Sequence, residues 1–274
     1  YFVVPSLVDI TWNWLDTDGK TVKEEKVKVT VGTKPTHDNP VNFETDDCRF
    51  TFAGWNPSVV TATKNATYEA VYTKFYKNVM IVQDSTGAAV DYYETVTDAL
   101  AKVQDGQTVR LRKDMTESVT MGTGSAKLDL AGFTISGSIT NNGSLSIVAA
   151  GTVSAENGTA LTNKGTLTIC DGLTVTTGNG IALNTSGQIK EIPGGTFQGT
   201  TAAIQVSEGG KIETVHGGAF TAGTSGAGIV IQQGGTITAI EAGNFSGSYG
   251  INNAGTVQKI AGGTFIGKPD EAGI

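Results

Sequence analysis

The chain predicts an all-β protein: a right-handed parallel β-helix of about seven coils, preceded by a small β-domain. Three observations lead there. Glycines that close a short polar stretch recur at Gly143, Gly165, Gly187, Gly209, Gly234 and Gly255, at steps of 22, 22, 22, 25 and 21 residues. Each step holds three short segments of alternating apolar residues, separated by Gly, Asn or Ser. Thr, Ser, Asn and 37 glycines dominate, while the Ala, Glu, Lys and Leu blocks that favour helices are nearly absent.

The segments follow in a fixed order. After the closing glycine comes an apolar pair: Leu145/Ile147, Leu167/Ile169, Ile189/Ile192, Ile212/Val215, Ile237/Ile240 and Val257/Ile260. A third apolar position follows at Val153, Val175, Phe197, Phe220, Phe245 and Phe265. A fourth group precedes the next glycine: Ile139, Leu161, Ile181/Leu183, Ile204/Val206, Ile229/Ile231 and Ile251. Alternation over three to five residues marks half-buried strands and is too short for helices. Three strands and three turns in about 22 residues make one coil, and stacked coils bring equivalent residues into ladders about 4.8 Å apart. The phenylalanines then form an internal stack. Asn141, Asn163 and Asn253 fall near one turn, where amides can bond along the stack. A leucine-rich repeat has a similar period but needs a leucine framework that this glycine-rich chain lacks.

An open solenoid end exposes strand edges and needs a cap. Val96, Ala99, Leu100 and Val103 sit at helical spacing, with Thr95 or Thr97 as N-cap and Asp105-Gly106 as the stop. Thr108 to Leu111 reads as the first strand of the solenoid. Residues 75–107 are therefore expected to connect and cap, and residues 108–274 to form the β-helix. The ending Ala272-Gly273-Ile274 reads as the opening of a further coil, and the chain as a piece of something longer.

Residues 1–74 show no such period. Strand-like runs cover Val8 to Leu15, Lys26 to Val31, Phe50 to Ala53 and Thr67 to Tyr72, with turns at Asp18-Gly19, Gly32 to Pro35 and Asn56-Pro57. The ordered elements Ile10-Thr11-Trp12, Asp18-Gly19, Gly32-Thr33-Lys34-Pro35, Phe52-Ala53-Gly54-Trp55-Asn56-Pro57 and Thr67 to Tyr72 resemble the β-grasp-like repeat of internalin-B-type surface proteins. The resemblance covers about residues 7–74 and lacks the double glycine common after the first strand. The second half is similar to Gly-rich β-helices that follow such modules in Firmicutes surface proteins, through Leu128-Asp129-Leu130-Ala131-Gly132-Phe133-Thr134-Ile135. The resemblance implies an extracellular location, at the bacterial cell surface or secreted, and a role as spacer or adhesive stalk.

Composition narrows the partners. The formal net charge is −7, and no arginine occurs from Gly132 onward. Such a surface repels phosphate backbones, so nucleic acid is not an expected partner. No run of about 18 apolar residues occurs, so no membrane insertion is expected. Cys48 and Cys170 fall in different predicted domains and form no metal motif. No cofactor and no metal are expected, and the fragment is expected to be a monomer.

Parallel β-helices also carry polysaccharide lyases and hydrolases, whose sites need converging acids, a base or Ca²⁺. Here Glu156, Asp171, Glu191, Glu208, Glu213, Glu241, Asp270 and Glu271 scatter over turns and faces. The closest grouping sets His216 beside Glu241 in the equivalent turn of the next coil, with Pro193 and Ala261 in the same column. Lys190 and Glu213 share another column. An acid–base pair and a lateral ion pair on a solvated face are the two readings; exposed pairs of the second kind contribute about 0–1 kcal/mol. Trp12, Trp14 and Trp55 could stack on sugars, but Trp12 and Trp14 share a strand face with Ile10 and read as core. Trp14, nearest the strand end, is the ligand-binding candidate, with His216 and Glu241. The expected function is a non-catalytic spacer or adhesin that contacts glycan or a host surface protein. The alternative is the N-terminal part of a polysaccharide lyase or glycoside hydrolase.

Overall fold

The computed structural model describes residues 4–268. Strand accounts for 57% of it and helix for 2%, so the all-β expectation holds. Two compact units meet in sequence between Lys77 and Asn78.

The first unit is one mixed sheet. Its strands are β1 (Leu7–Leu15), β2 (Thr21–Thr30), β3 (Phe43–Glu44), β4 (Cys48–Asn56) and β5 (Ala66–Tyr76), in the order β2-β1-β5-β4-β3. β1 runs parallel to β5, and the other pairs are antiparallel. Ile10 and Trp12 alternate inward along β1 and pack with Ala62 and Tyr68 in the core. The β1–β2 turn is closed by Asp16, whose Oδ1 accepts the amides of Asp18 and Lys20 at 2.9 Å each. Sequence reading starts the second strand at Lys26, yet β2 begins at Thr21. Five of its ten residues are Lys or Glu and eight are exposed, so no apolar alternation announces it. β3 is two residues long and leaves no pattern at all.

The second unit is a parallel β-solenoid of about seven turns with roughly 22 residues per turn. Its N-terminal edge is closed by β6 (Val79–Gln83) and β7 (Ala89–Tyr93), a hairpin that sequence reading did not foresee. β6 pairs antiparallel with β8 (Gln107–Leu111), and β8 pairs parallel with residues 125–129. The hairpin thus satisfies backbone groups that the first coil would otherwise leave open. Between β7 and β8 lies the expected helix, α1 (Val96–Leu100), with Val96, Ala99 and Leu100 buried. Thr95 is the N-cap and accepts the Asp98 amide at 3.1 Å. The Glu117 carboxylate accepts the Val96 amide at 2.7 Å and ties α1 to the first coil.

Successive coils stack in register. Val153, Val175, Phe197, Phe220, Phe245 and Phe265 pair in one column. The four rings are nearly parallel, at centroid distances of 5.4, 4.7 and 4.9 Å. In a neighbouring column Asn141, Asn163 and Thr185 form a buried side-chain ladder: Asn141 Nδ2 donates to Asn163 Oδ1 at 2.8 Å, and Asn163 Nδ2 to Thr185 Oγ1 at 3.0 Å. Val206 and Ile231 then occupy the column, so Asn253 does not join the ladder. Its Oδ1 accepts the Gly255 amide instead.

The glycine column is set by close approach. A Cβ at Gly165 would lie 2.0 Å from the Gly143 carbonyl oxygen, and one at Gly187 equally close to that of Gly165. In the later coils the equivalents are Gly210 and Gly235, one residue beyond Gly209 and Gly234, because their strands start at Lys211 and Thr236. Two coils also fuse their second and third segments into single strands, Thr152–Asn163 and Thr174–Thr185. The expected further coil at 272–274, and Asp270 and Glu271, lie outside the described residues.

Phe220→Ala tests the stack. The ring is fully buried between two others, so the substitution should destabilise the solenoid by about 3–5 kcal/mol. Denaturant unfolding of the whole chain, followed by far-UV circular dichroism, measures it.

Candidate functional sites

On the solenoid, Ile192, Val215 and Ile240 form one buried column, continued by the 43% exposed Ile260. The residue after each points outward into a turn, which sets Pro193, His216, Glu241 and Ala261 in line. His216 Nδ1 lies 2.8 Å from Glu241 Oε2, and its Nε2 lies 3.5 Å from Glu191 Oε2 of the preceding coil. Sequence reading placed His216 and Glu241 together but not Glu191, which stands two residues before Pro193. The three side chains are 42%, 54% and 48% exposed, so water screens their interaction. Glu213 bonds Lys211 of its own strand at 3.1 Å. A second feature of this unit is an open trough of about 650 Å³, lined by Thr116, Ser118, Ser136, Ser138, Ser154 and Asn157 among others. Stacked polar positions in neighbouring coils place these hydroxyls side by side.

The first unit carries a larger open groove of about 920 Å³. Trp14 reaches it from β1, Val22, Lys23 and Glu25 from β2, Tyr72 from β5, and residues 36–41 form the opposite wall. Trp12, two positions before Trp14, is core; Trp14 is half-buried at the rim. The Lys23 ammonium sits 4.5 Å from the Trp14 ring centroid and 2.6 Å from Glu25 Oε1. His37 packs against Trp12, Trp14 and Trp55 at centroid distances of 5.1, 4.9 and 5.9 Å. Its Nε2 lies 2.8 Å from Glu25 Oε2, and its Nδ1 lies 2.9 Å from the Asp38 carbonyl oxygen.

The electrostatics follow from those contacts. Burial opposes protonation of His37, but the Asp38 carbonyl and the Glu25 carboxylate outweigh it and raise the pKa above the ordinary 6.5. Bonds from Lys23 and then His37 hold Glu25 below the ordinary 4.5. Neither His37 nor Glu25 stood out in the sequence. His37 lies in the stretch Pro35-Thr36-His37-Asp38-Asn39-Pro40, and only a loop histidine held between two prolines hinted at it.

Among the described residues, no cluster of three or more His, Cys, Asp or Glu side chains is arranged to hold a metal ion. No helix there is long and apolar enough to cross a membrane. No protein-family model matches the chain, and neither the curated proteins nor the solved structures contain a significant match.

The His37–Glu25 pair gives a pH signature. A raised histidine pKa stabilises fully below 6.5 and is lost as pH rises through the folded value. A lowered carboxylate pKa stabilises above 4.5 and is lost as pH falls through its folded value. The pair should therefore contribute most between pH 4.5 and 6.5. The melting-temperature difference between the native chain and His37→Gln, read by tryptophan fluorescence across pH 4 to about pH 9, should peak in that window and shrink on either side.

Proposed function

We propose that the protein is a non-catalytic module of a bacterial surface or secreted protein, acting as a rigid spacer whose polar turns make weak contacts with glycan or host protein. The observation that carries this reading is the continuous internal packing of the solenoid. Apolar columns, the phenylalanine stack and the Asn141–Asn163–Thr185 ladder link coil to coil with coil-to-coil backbone bonding throughout. Such a body resists bending because each coil is held to its neighbour by strand pairing and by a shared core.

The hydroxyl-lined trough supports the binding half of the reading. Ser, Thr and Asn side chains repeated at coil spacing offer many individually weak hydrogen bonds, which gain strength when several modules engage one polymer. On this reading the first unit is a β-grasp-like surface repeat. Its sheet has a parallel β1–β5 pair flanked by antiparallel β2 and β4. The module works outside the cell as a monomer, without cofactor.

Against a hydrolase or lyase reading stands the solvation of its best candidates, His216, Glu191 and Glu241, which lie about half exposed on an open face. A screen of neutral and acidic polysaccharides, with and without Ca²⁺, should give no unsaturated products and no new reducing ends. Products that appear with the native chain and vanish in Glu241→Gln would overturn the non-catalytic reading. Glu241→Gln itself should change stability by no more than about 1 kcal/mol, measured by thermal unfolding.

A further inference from the structure

The groove beside Trp14 has a composition that the spacer reading does not use. Its walls are apolar, with Trp14, Val22, Val41, Phe43 and Tyr72, and two of these stand well out in solvent, Val22 at 64% and Val41 at 83% exposed. Its charge is acidic: Asp16, Glu25 and Asp38 line it against the ammonium of Lys23. Apolar side chains held open to water beside carboxylates complement a partner that offers both grease and positive charge.

Lys23 shows which chemistry this corner accepts. Its ammonium is held between the face of an indole and a carboxylate, a combination that favours organic cations. The same contact covers the Trp14 face, so a sugar ring cannot stack there unless Lys23 leaves. The other contacts of Trp14 are edge-on, at 73° to His37 and 88° to Trp55. Glu25 is fixed by both Lys23 and His37, which keeps the acidic wall in place. The Asp38 side chain stands exposed at the opposite wall.

We propose that this groove binds an extended peptide segment that carries a Lys or Arg next to an apolar side chain. The cation meets Asp38 and the Glu25 wall, and the apolar side chain lies on Val22, Val41 and Phe43. The volume of about 920 Å³ lies at the upper end of the range for ligand clefts, about 300–1,000 Å³, so more than one side chain fits. Binding here neither requires the rod nor follows from it, so this proposal and the spacer reading can fail separately.

The test uses the whole 274-residue chain. Capped nonapeptides are titrated in, with binding followed by tryptophan fluorescence and calorimetry: one alternating Lys and Leu, one with Glu in place of Lys, one with Ser in place of Leu. Hexamers of N-acetylglucosamine and of xylose are titrated in parallel. The Lys/Leu peptide should bind with a Kd of about 10–500 μM, more weakly at higher salt, and the Glu and Ser peptides at least about tenfold more weakly. Asp38→Lys and Val41→Ser, both at exposed positions, should each weaken it about tenfold with near-UV circular dichroism unchanged. Glu208→Lys, an equal charge change on the solenoid, should leave it within about twofold. The proposal is overturned if the Lys/Leu peptide does not bind, or if Asp38→Lys and Val41→Ser bind it as the native chain does. It is overturned equally if Glu208→Lys weakens binding as much as they do, or if a hexasaccharide binds in its place and is lost in the groove variants.

Discussion

Everything in the solenoid depends on backbone hydrogen bonding between one coil and the next. Parallel strands of successive coils pair residue for residue, so the side chain at each position meets its equivalent about 4.8 Å away. That spacing decides which residues can recur. Flat rings can stack in the phenylalanine column, and amides can bond along the column of Asn141 and Asn163. At Gly165 and Gly187 the carbonyl of the preceding coil comes so near that a single methyl group would collide with it. The glycine-rich composition of the solenoid follows from this constraint. The pairing does not dictate polarity at every step: Val206 and Ile231 interrupt the polar column without breaking it.

The first unit obeys a different rule. It has no repeat, and its sheet is organised by aromatic packing around Trp12, which touches His37, Trp55 and Tyr68. A histidine among three tryptophans would be costly to charge. The Glu25 carboxylate and the Asp38 carbonyl compensate, which makes a polar contact inside an apolar cluster part of the fold. The same residues line the groove: Trp14 and β2 on one side and residues 36–41 on the other, tied by the His37–Glu25 bond. Packing and surface chemistry are thus set by the same few residues.

The two units also differ in what they leave exposed. The solenoid presents solvated polar rows, in which His216, Glu191 and Glu241 interact across three coils and the hydroxyls of the trough lie in register. Their regular spacing suits many weak contacts more than one strong one. The groove of the first unit concentrates apolar area and carboxylates in one concavity. Charge on the solenoid is distributed; charge in the groove converges.

The sequence by itself determined the repeat, the inward columns and the capping helix, because each of these is a local pattern repeated or bounded by turn residues. Strand alternation and the helical spacing before Asp105 are written in neighbouring residues and the phenylalanines recur at coil length, while of the two N-caps the sequence offered, Thr95 and Thr97, the structure uses Thr95. The Glu241 contact of His216 was legible for the same reason, since one coil length predicts it; the Glu191 contact was not. Only the tertiary structure decided the hairpin of β6 and β7, the early start of β2 and the groove at Trp14. The hairpin pairs with β8 through backbone groups, which carry no sequence signature, and β2 is an edge strand exposed on most of its length. Glu25 and His37 are twelve residues apart in different elements, and no periodicity links them. They meet because the core around Trp12 closes, and the hydrogen bond between them then shifts the titration of two ordinary side chains.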